Sequence, residues 1–395
     1  MGQHVYVDKV TDDLYILRVD DINVNYFEAL WEIPEKISYN SYLLFRRDHI
    51  VLFDGWKADY AELFLETLRK IVDPRDISEV IVHHLEPDHS GSIPKLLEVN
   101  HKAVFYGHPL VGKMLSSFYR VSRFKPLQDG AVLDVGTSLK FIHTPWLHWP
   151  ETSMSYLDGE GVLLTCDAFG SYGLQPLFDD NVNLNELEHE IRKYFVTVIG
   201  HYAPHVLKAV KKLRDLGVTP RIIAPGHGTV LRNHVDWTLS IYTRLGEGAS
   251  VEKATLVYVS MYGNVESSIN RLKEELKGLN VEVYSFTDKA RANISDVLSS
   301  MADSRLVILG AATYEAEIQP LMRYLVDLIG EKLSYRKDLR FLVMSPYGWS
   351  GVAGKKIAEK LKSYGFTNVE VVEWEGAFTD SVLEKASKTL EQLIL

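Results

Sequence analysis

The sequence is poor in cysteine, in basic clusters and in long apolar runs, and each shortage excludes a class of protein. Cys166 is the only cysteine among 395 residues, so the chain can form neither an internal disulfide nor a multi-thiolate metal cluster. The formal net charge of −10, without a basic stripe, argues against a nucleic-acid partner. No run of about 18 apolar residues occurs, which predicts a soluble, cytoplasmic protein with no membrane partner. Any metal ion should therefore be held by His, Asp and Glu.

The order of apolar and polar segments predicts two α/β domains, over residues 1–250 and 254–395. In the first, short β-type runs alternate with helical ones, and several strands end directly in His or Asp, which predicts two packed sheets with covering helices and a site along one edge. A small, polar stretch at 246–250 is typical of a linker. Beyond it, strands alternate with helices, which predicts an open, doubly wound parallel sheet. Helical spacing predicts helices over 184–197 and 266–279.

The first site motif is His84-Leu85-Glu86-Pro87-Asp88-His89, which follows the apolar strand predicted at 80–84. It places four potential metal ligands on one short loop. We expect Pro87 to prevent a helix and to hold the loop extended, so that alternate side chains converge from two directions. Two metal ions, rather than one, are the expected occupants.

Three further candidate ligands, His148, Asp167 and His227, each lie just after a predicted strand, close to Gly, Pro or Trp. Taken singly, a histidine after a strand more often belongs to a capped loop than to a metal site. The co-occurrence of the six-residue motif with all three favours a metal site. We expect Asp54 to orient a ligand imidazole from behind. The remaining histidines considered are predicted to be structural or at the surface: His83, His143, His201, His205 and His234.

These motifs resemble those of the metallo-β-lactamase superfamily, whose loop usually reads His-x-His-x-Asp-His and whose later ligands are His, Asp and His. Here the second histidine is replaced by Glu86. Zinc hydrolases use neutral imidazoles, whereas an added anionic oxygen favours a harder ion and its higher oxidation state. With Glu86, the chain resembles the flavodiiron proteins, which carry His-x-Glu-x-Asp-His.

The resemblance implies a metallo-β-lactamase-like αββα sandwich that holds two iron ions (Fe²⁺/Fe³⁺). By motif, one iron would bind His84, Glu86 and His148, the other would bind Asp88, His89 and His227, and Asp167 would bridge them. Three carboxylates leave a net charge of about +1 on two Fe²⁺, so both oxidation states are accessible. Aromatic side chains are expected to wall the pocket: Tyr26, Trp31, Trp146, Trp149 and Tyr194.

The second half contains three loops that follow predicted strands of one sheet. Such loops converge at the carboxyl edge of a doubly wound sheet, where ligands bind. The first is a strand-to-helix turn whose backbone N–H groups would cradle a phosphate, and it is not a Walker loop because it lacks Gly-Lys-Ser/Thr. The candidate residues are Ser260, Met261, Tyr262, Gly263, Asn264 and Val265; Ala312, Thr313, Tyr314, Glu315 and Ala316; and Ser345, Pro346, Tyr347, Gly348, Trp349 and Ser350.

This half resembles the short-chain flavodoxins, and the resemblance implies FMN as the cofactor. The turn 260–265 would hold the phosphate, and the ring would lie between the second and third loops. Tyr314, Tyr347 and Trp349 are able to stack on a flat ring. A glycine-containing turn alone is a weak signal, but two further loops in the right order strengthen it.

The flavodiiron resemblance implies an oxidoreductase that reduces O₂ to water, NO to N₂O, or both, with electrons delivered through FMN. The chain ends at Leu395 without a cysteine pair, so we expect a separate electron donor. Rubredoxin is the expected donor, and a reduced deazaflavin cofactor is the alternative. The family brings FMN close to iron in a head-to-tail homodimer, which we expect here, alone or doubled to a tetramer.

Two other readings start from the same residues. A zinc hydrolase fused to a flavodoxin domain would share the fold, although Glu86 argues against it. A simple electron carrier with an inert metal lobe would leave the seven ordered ligand types to coincidence. Consumption of O₂ or NO distinguishes an iron reductase from both.

Overall fold

A computed structural model describes residues 4–394, and their contacts divide into two compact units. The first unit contains the chain up to Tyr194 together with Pro204–Thr243. The second contains Phe195–Ala203 and the chain from Arg244 onward. The domain boundaries at residues 250 and 254 remain a prediction from the sequence. No helix within residues 4–394 has both the length and the apolar character needed to cross a bilayer.

The first unit is built on two sheets and a short hairpin. Its strands are β1 (Val5–Lys9), β2 (Leu14–Asp21), β3 (Tyr26–Phe27), β4 (Trp31–Glu32), β5 (Ile37–Arg46), β6 (His49–Phe53), β7 (Glu79–Val82), β8 (Val104–Gly107), β9 (Phe124–Pro126), β10 (Val132–Asp134), β11 (Ser138–His143), β12 (Ser153–Leu157), β13 (Val162–Cys166) and β14 (Ile222–Pro225). The larger sheet has the order β1-β2-β5-β6-β7-β8-β9, and the smaller one has the order β10-β11-β12-β13-β14.

Both sheets contribute one apolar face to a shared core, which confirms the predicted sandwich. Leu44, Phe53 and Ile81 of the larger sheet belong to the same buried cluster as Phe141 and Leu164 of the smaller one. From β6 to β9 the strands of the larger sheet are parallel, as are β13 and β14 of the smaller one. The carboxyl ends of the parallel strands β7, β13 and β14 carry three of the site loops, and the loop between the antiparallel strands β11 and β12 carries the fourth.

Seven α-helices lie between the strands within residues 4–247: α1 (Ala61–Arg69), α2 (Pro87–Ser90), α3 (Ile93–Leu97), α4 (Pro109–Tyr119), α5 (Leu184–Tyr194), α6 (Ala203–Asp215) and α7 (Val235–Glu247). The helix predicted over 184–197 is shorter than expected. It ends at Tyr194 and continues as a π-helical turn, Phe195–Ile199. That turn is buried throughout, because it belongs to the second unit, and such packing overrides the local 3.6-residue spacing.

The second unit is a five-stranded parallel sheet covered by helices. Its elements are β15 (Val251–Val259), α8 (Asn264–Lys273), β16 (Asn280–Phe286), α9 (Ile294–Met301), β17 (Ser304–Ala311), β18 (Thr313–Tyr314), β19 (Glu317–Ile318), α10 (Pro320–Leu333), β20 (Arg340–Tyr347), α11 (Ala353–Ser363), β21 (Asn368–Glu375) and α12 (Asp380–Ile394). The strand order β16-β15-β17-β20-β21 confirms the predicted doubly wound fold.

Two local features of this unit differ from a plain doubly wound domain. The helix predicted over 266–279 begins earlier, at Asn264, because Gly263 adopts φ 88° and turns the chain directly into it, and it ends at Lys273 in a series of turns. The segment Phe195–Ala203 packs against α9 and α10. The ammonium of Lys332 donates to the carbonyl of Thr197 at 2.5 Å, which fastens this segment to α10.

Candidate functional site

The loop that follows β7 carries four of the predicted ligands in a small space. His84 lies two residues beyond the strand, and Glu86 occupies the position just before α2. Asp88 and His89 lie within this single helical turn. The expectation that Pro87 holds the loop extended is wrong, because Pro87 is the first residue of α2, where a fixed φ and a missing N–H are compatible with a helix.

Four of the predicted ligands converge as a first group, made of His84, Glu86, His148 and Asp167. The separations from Glu86 Oε2 are 3.1 Å to His84 Nε2 and 2.9 Å to His148 Nε2. The separations from Asp167 Oδ2 are 3.3 Å to His84 Nε2 and 3.5 Å to His148 Nε2. Two nitrogens and two oxygens therefore surround one point.

The second group is made of Asp88, His89 and His227, and it faces the other oxygen of Asp167. Asp88 Oδ2 lies 3.6 Å from His89 Nε2 and 3.4 Å from His227 Nε2. Asp167 Oδ1 lies 2.8 Å from His89 Nε2 and 3.2 Å from His227 Nε2. The structure thus brings all seven predicted ligands together, with the two oxygens of Asp167 directed at separate groups.

The donor atoms of both groups fit metal ions. Asp88 Oδ1, Asp167 Oδ2 and His227 Nε2 are buried and form no hydrogen bond of ordinary geometry within residues 4–394. Buried polar atoms without partners are rare unless they bind an ion or water. Bonds of about 2.1 Å to imidazole and carboxylate require donor separations of about 3.0–3.4 Å around one ion. The observed separations lie around these values, so the residues present match a pair of ions.

The charges of the two groups also favour a bound cation. Burial disfavours the charge on Glu86, but hydrogen bonds to His148 and His84 lower its pKa to about 2. Burial likewise opposes protonation of His148 and His227, yet their carboxylate partners raise the pKa of His148 to about 9 and that of His227 to about 10. The carboxylates of this site therefore stabilise positive charge, which protons on the imidazoles supply when no metal ion is bound.

Groups behind the ligands hold two of the imidazoles. The Nδ1 of His84 lies 2.9 Å from Glu151 Oε1, and the Nδ1 of His227 lies 2.8 Å from the backbone carbonyl of Ser38. The expectation that Asp54 orients a ligand is wrong, because Asp54 Oδ2 lies 2.7 Å from His83 Nδ1. His83 is buried, as predicted for a structural histidine, and its Nε2 lies 2.8 Å from the hydroxyl of Ser155. The sequence analysis missed Glu151.

Aromatic side chains contact the metal ligands, and a cavity reaches two of the carboxylates. Tyr194 is fully buried and donates its hydroxyl to Asp167 Oδ1 at 3.1 Å. The ring of Trp149 meets His84 edge-on at 5.0 Å. A cavity of about 370 Å³ reaches Glu86 and Asp88, and Tyr26 at its rim is 54% exposed. Of the other expected wall residues, Trp31 is buried and Trp146 is half-exposed.

The second unit contains a separate cavity of about 180 Å³ at the carboxyl edge of its sheet. All three predicted loops contribute to it, together with one position beyond β21 that the sequence analysis missed, Gly376. The lining residues that were predicted are Ser260, Met261, Tyr262, Asn264, Val265, Ala312, Thr313, Pro346, Tyr347 and Gly348. The predicted residues outside this lining are Gly263, Tyr314, Glu315, Ala316, Ser345, Trp349 and Ser350.

The first loop has the geometry of an anion cradle. Gly263 supplies the left-handed turn, and its N–H donates to Ser260 Oγ at 3.1 Å, inside the curve of the loop. The helix α8 starts at the next residue, so its positive end faces the same space. Beside the cavity, Tyr262 and Trp349 are 93% and 92% exposed, which offers flat apolar surface to a planar ring.

Comparisons with known proteins match the two halves of the chain to two different families, and each half contains one of the two sites. The family model described as ODP family beta lactamase matches residues 37–228, and the flavodoxin model matches residues 256–389. A mutant flavo di-iron protein from Thermotoga maritima is 36% identical over the full length of both chains, with a TM-score of 0.92. The rubredoxin-oxygen oxidoreductase of Megalodesulfovibrio gigas is 29% identical, with 91% of this chain and 90% of that protein covered. The nitric oxide reductase of Moorella thermoacetica is 28% identical, with 90% and 89% covered.

Proposed function

The chain belongs to the flavodiiron proteins, and from that membership we propose that it reduces O₂ to water, NO to N₂O, or both. The reaction would take place at two iron ions in the first unit, with electrons delivered through FMN in the second. His84, Glu86 and His148 would hold one iron, Asp88, His89 and His227 would hold the other, and Asp167 would bind both.

The observation that carries this proposal is the position of the Asp167 carboxylate. Its Oδ2 faces the first group and its Oδ1 faces the second, at separations of 2.8–3.5 Å from four imidazole nitrogens. A buried carboxylate whose two oxygens face separate sets of ligands is suited to bind two adjacent cations rather than one. Glu86 adds a further anionic oxygen to one set, which favours iron over zinc.

The residues of the chain prepare this site for a small gas. When bound, the irons supply two neighbouring redox centres at which a diatomic molecule is reduced. Tyr194 restrains the rotation of Asp167 through its hydroxyl, so both oxygens keep their directions. The cavity of about 370 Å³ is large enough to admit O₂ or NO, and it reaches Glu86 and Asp88, one carboxylate from each group.

The proposed reductant is an external one-electron carrier such as rubredoxin, because the relative from Megalodesulfovibrio gigas is named for that donor. The cavity at the three loops would hold FMN, with the phosphate at the turn 260–265. We place the reaction in the cytoplasm, where a free thiol such as Cys166 remains reduced. A head-to-tail homodimer, alone or doubled, remains our proposal for bringing flavin to iron.

Anaerobically reconstituted full-length protein provides the central test. We expect two irons and one FMN per chain, and consumption of measured doses of O₂ or NO with reduced rubredoxin as donor. Side-by-side turnover of the two gases would define the preference. Two zinc ions with hydrolysis of esters or lactams, and no gas consumption, would overturn the proposal in favour of a hydrolase.

Complementation tests the proposed dimer. Asp167→Ala chains lack the shared metal ligand, and chains purified without FMN lack the flavin, so neither homodimer should turn over. Mixed dimers should regain activity if flavin on one chain serves iron on the other. If mixing restores nothing while both parents form dimers, electrons do not cross between copies.

A further inference from the structure

Glu151 is a buried carboxylate outside the predicted ligand set, and it lies against one ligand imidazole. Its side chain is completely buried, and Oε1 lies 2.9 Å from Nδ1 of His84. The backbone N–H of Leu85, the next residue along the chain, donates to the same oxygen at 3.2 Å. The contact spans 67 positions in the sequence, so it joins the loop after β7 to the loop before β12.

The position of Glu151 determines which nitrogen of His84 faces the metal group. A carboxylate oxygen accepts hydrogen bonds, so Nδ1 of His84 carries the proton and donates it to Glu151. The lone pair of Nε2 is then directed at Glu86 and Asp167, whose oxygens lie 3.1 and 3.3 Å away. Such a contact also makes an imidazole a stronger donor to a metal ion.

Among the described residues, no carboxylate forms an equivalent contact with Nδ1 of His89 or His227 in the second group. The Nδ1 of His227 faces the carbonyl of Ser38, which is uncharged, at 2.8 Å. The Nδ1 of His89 is buried and has no hydrogen-bond partner within residues 4–394. Among the described residues, the ion-pair partner of Glu151 within 4.0 Å is His84, and Glu151 Oε2 forms no hydrogen bond. Its negative charge therefore acts on one metal position without a neutralising cation.

We propose that Glu151 is a positioning residue that fixes His84 and makes the two metal positions electrically unequal. The position of His84, Glu86 and His148 then holds the higher oxidation state more firmly than the position of Asp88, His89 and His227. This inference rests on the proposed function, because it requires two irons at the seven ligands. It adds an ordered sequence of reduction, in which the iron beside Asp88 accepts an electron first.

The test is a redox titration of full-length protein reconstituted with ⁵⁷Fe, in the wild type and in Glu151→Gln. Glutamine keeps an oxygen that accepts from Nδ1 of His84 but removes the charge. We expect the more reluctant iron couple to become about tenfold easier to reduce, a shift of about 59 mV for one electron. The other couple should keep its potential, and Mössbauer spectra should show the change at one iron site.

Matched variants separate charge from general damage. Glu190→Gln removes a buried carboxyl of the same unit that accepts from Gln175 at 2.7 Å and contacts none of the predicted ligands, so it should leave both couples unchanged. Glu151→Asp keeps the charge, so its potential should lie at least halfway back from the value in Glu151→Gln to the wild-type value. If Glu151→Gln loses its iron during purification, Fe²⁺ binding to its apo-protein is measured against a chelator and compared with the wild type. The affinity should be about tenfold lower at one of the two sites and unchanged at the other.

The outcomes distinguish the two proposals. A wild-type protein that does not take up two irons defeats the proposed function itself. A wild-type protein with two irons, and a Glu151→Gln variant whose two couples are unchanged or shift equally, overturns the role of Glu151 alone. An equal shift in Glu190→Gln would assign the effect to the loss of any buried carboxyl of this unit, rather than to the contact with His84, and would overturn it as well.

Discussion

The two sites of this protein are built from different parts of the chain. The metal groups consist of side chains, and His84, His89 and His227 are at most 1% exposed and contact other ligands. The flavin cavity is lined by three loops and Gly376, and the aromatic residues Tyr262 and Trp349 at these loops are over 90% exposed. A buried site is fixed before its ion binds, whereas an exposed loop site gains much of its order from the ligand. The halves should therefore respond differently to substitution.

The largest effect should follow Asp167→Ala, which removes the carboxylate shared by both metal groups. Each group loses one of its donors at once, so iron content should fall below a tenth of the wild-type value and gas reduction should fall more than 100-fold. FMN should remain bound, because the substitution is confined to the first unit. Metal analysis, gas electrodes and flavin absorbance measure the three quantities. Loss of FMN together with iron would show that the sites do not respond independently.

The next largest effect should follow Glu86→His, which replaces an anionic oxygen by an imidazole in the first group. We expect the preference for Fe²⁺ over Zn²⁺ in a direct competition to fall, and gas reduction to decrease at least tenfold. Glu66→His, at an exposed position of α1, is the matched control and should change neither. Unchanged iron loading and turnover in Glu86→His would remove the argument that this carboxylate selects the metal.

Glu190 should make the stability of the metal half depend on pH. Burial raises its pKa to about 8, with help from Glu186 and Glu35, although the hydrogen bond to Gln175 and the charge of Arg18 act in the opposite direction. An acid with a raised pKa retains its proton in the folded state, so the free energy of unfolding should fall as pH rises from about 4.3 toward 8. Glu190→Gln should be more stable than wild type by about 5 kcal/mol above pH 8 and nearly equal at pH 4. Thermal unfolding across pH measures this, and parallel curves would contradict it.

The smallest effect should come from Gly263→Ala in the flavin half. A Cβ at this glycine meets no atom within 4 Å, so the cost arises from φ 88°, about 1 kcal/mol, and should weaken FMN binding about fivefold. Gly278→Ala carries a similar backbone cost at φ 84°, also in open space, but lies outside the turn 260–265, whose other residues line the cavity. It should reduce stability alone. Equal FMN affinities in the two variants would show that the turn does not shape the cradle.

The architecture and the gathering of seven ligand types could be predicted because both leave regular traces in the sequence. Alternating strands and helices report the parallel sheets, and one six-residue motif places four donors on one loop. Glu151 left no such trace, since a single glutamate 67 positions from its partner has no local pattern. Gly376 follows the fifth strand of its sheet, outside the three loops that turn residues had marked.

The errors have local physical causes. Pro87 was read as a helix breaker, although proline at the first position of a helix is favourable, and a four-residue turn is too short to produce apolar periodicity. Strand β12 has no clear apolar pattern in the sequence, because Ser153 and Ser155 interrupt it. Both serines are buried, and their hydroxyls pair with His83, so polar atoms fill core positions there.

The short segment Phe195–Ala203 affects how the protein can be made. It emerges from the ribosome well before Arg244, yet it packs on helices that end at Met301 and Leu333. Its buried residues therefore find their packing partners only after most of the chain has been synthesised. The order of synthesis thus differs from the order in which the elements pack together. A truncated polypeptide that starts at residue 244 would lack this segment. One that stops at residue 243 would expose Phe195, Val196 and Ile199 to solvent, and these apolar side chains would favour chaperone binding or aggregation.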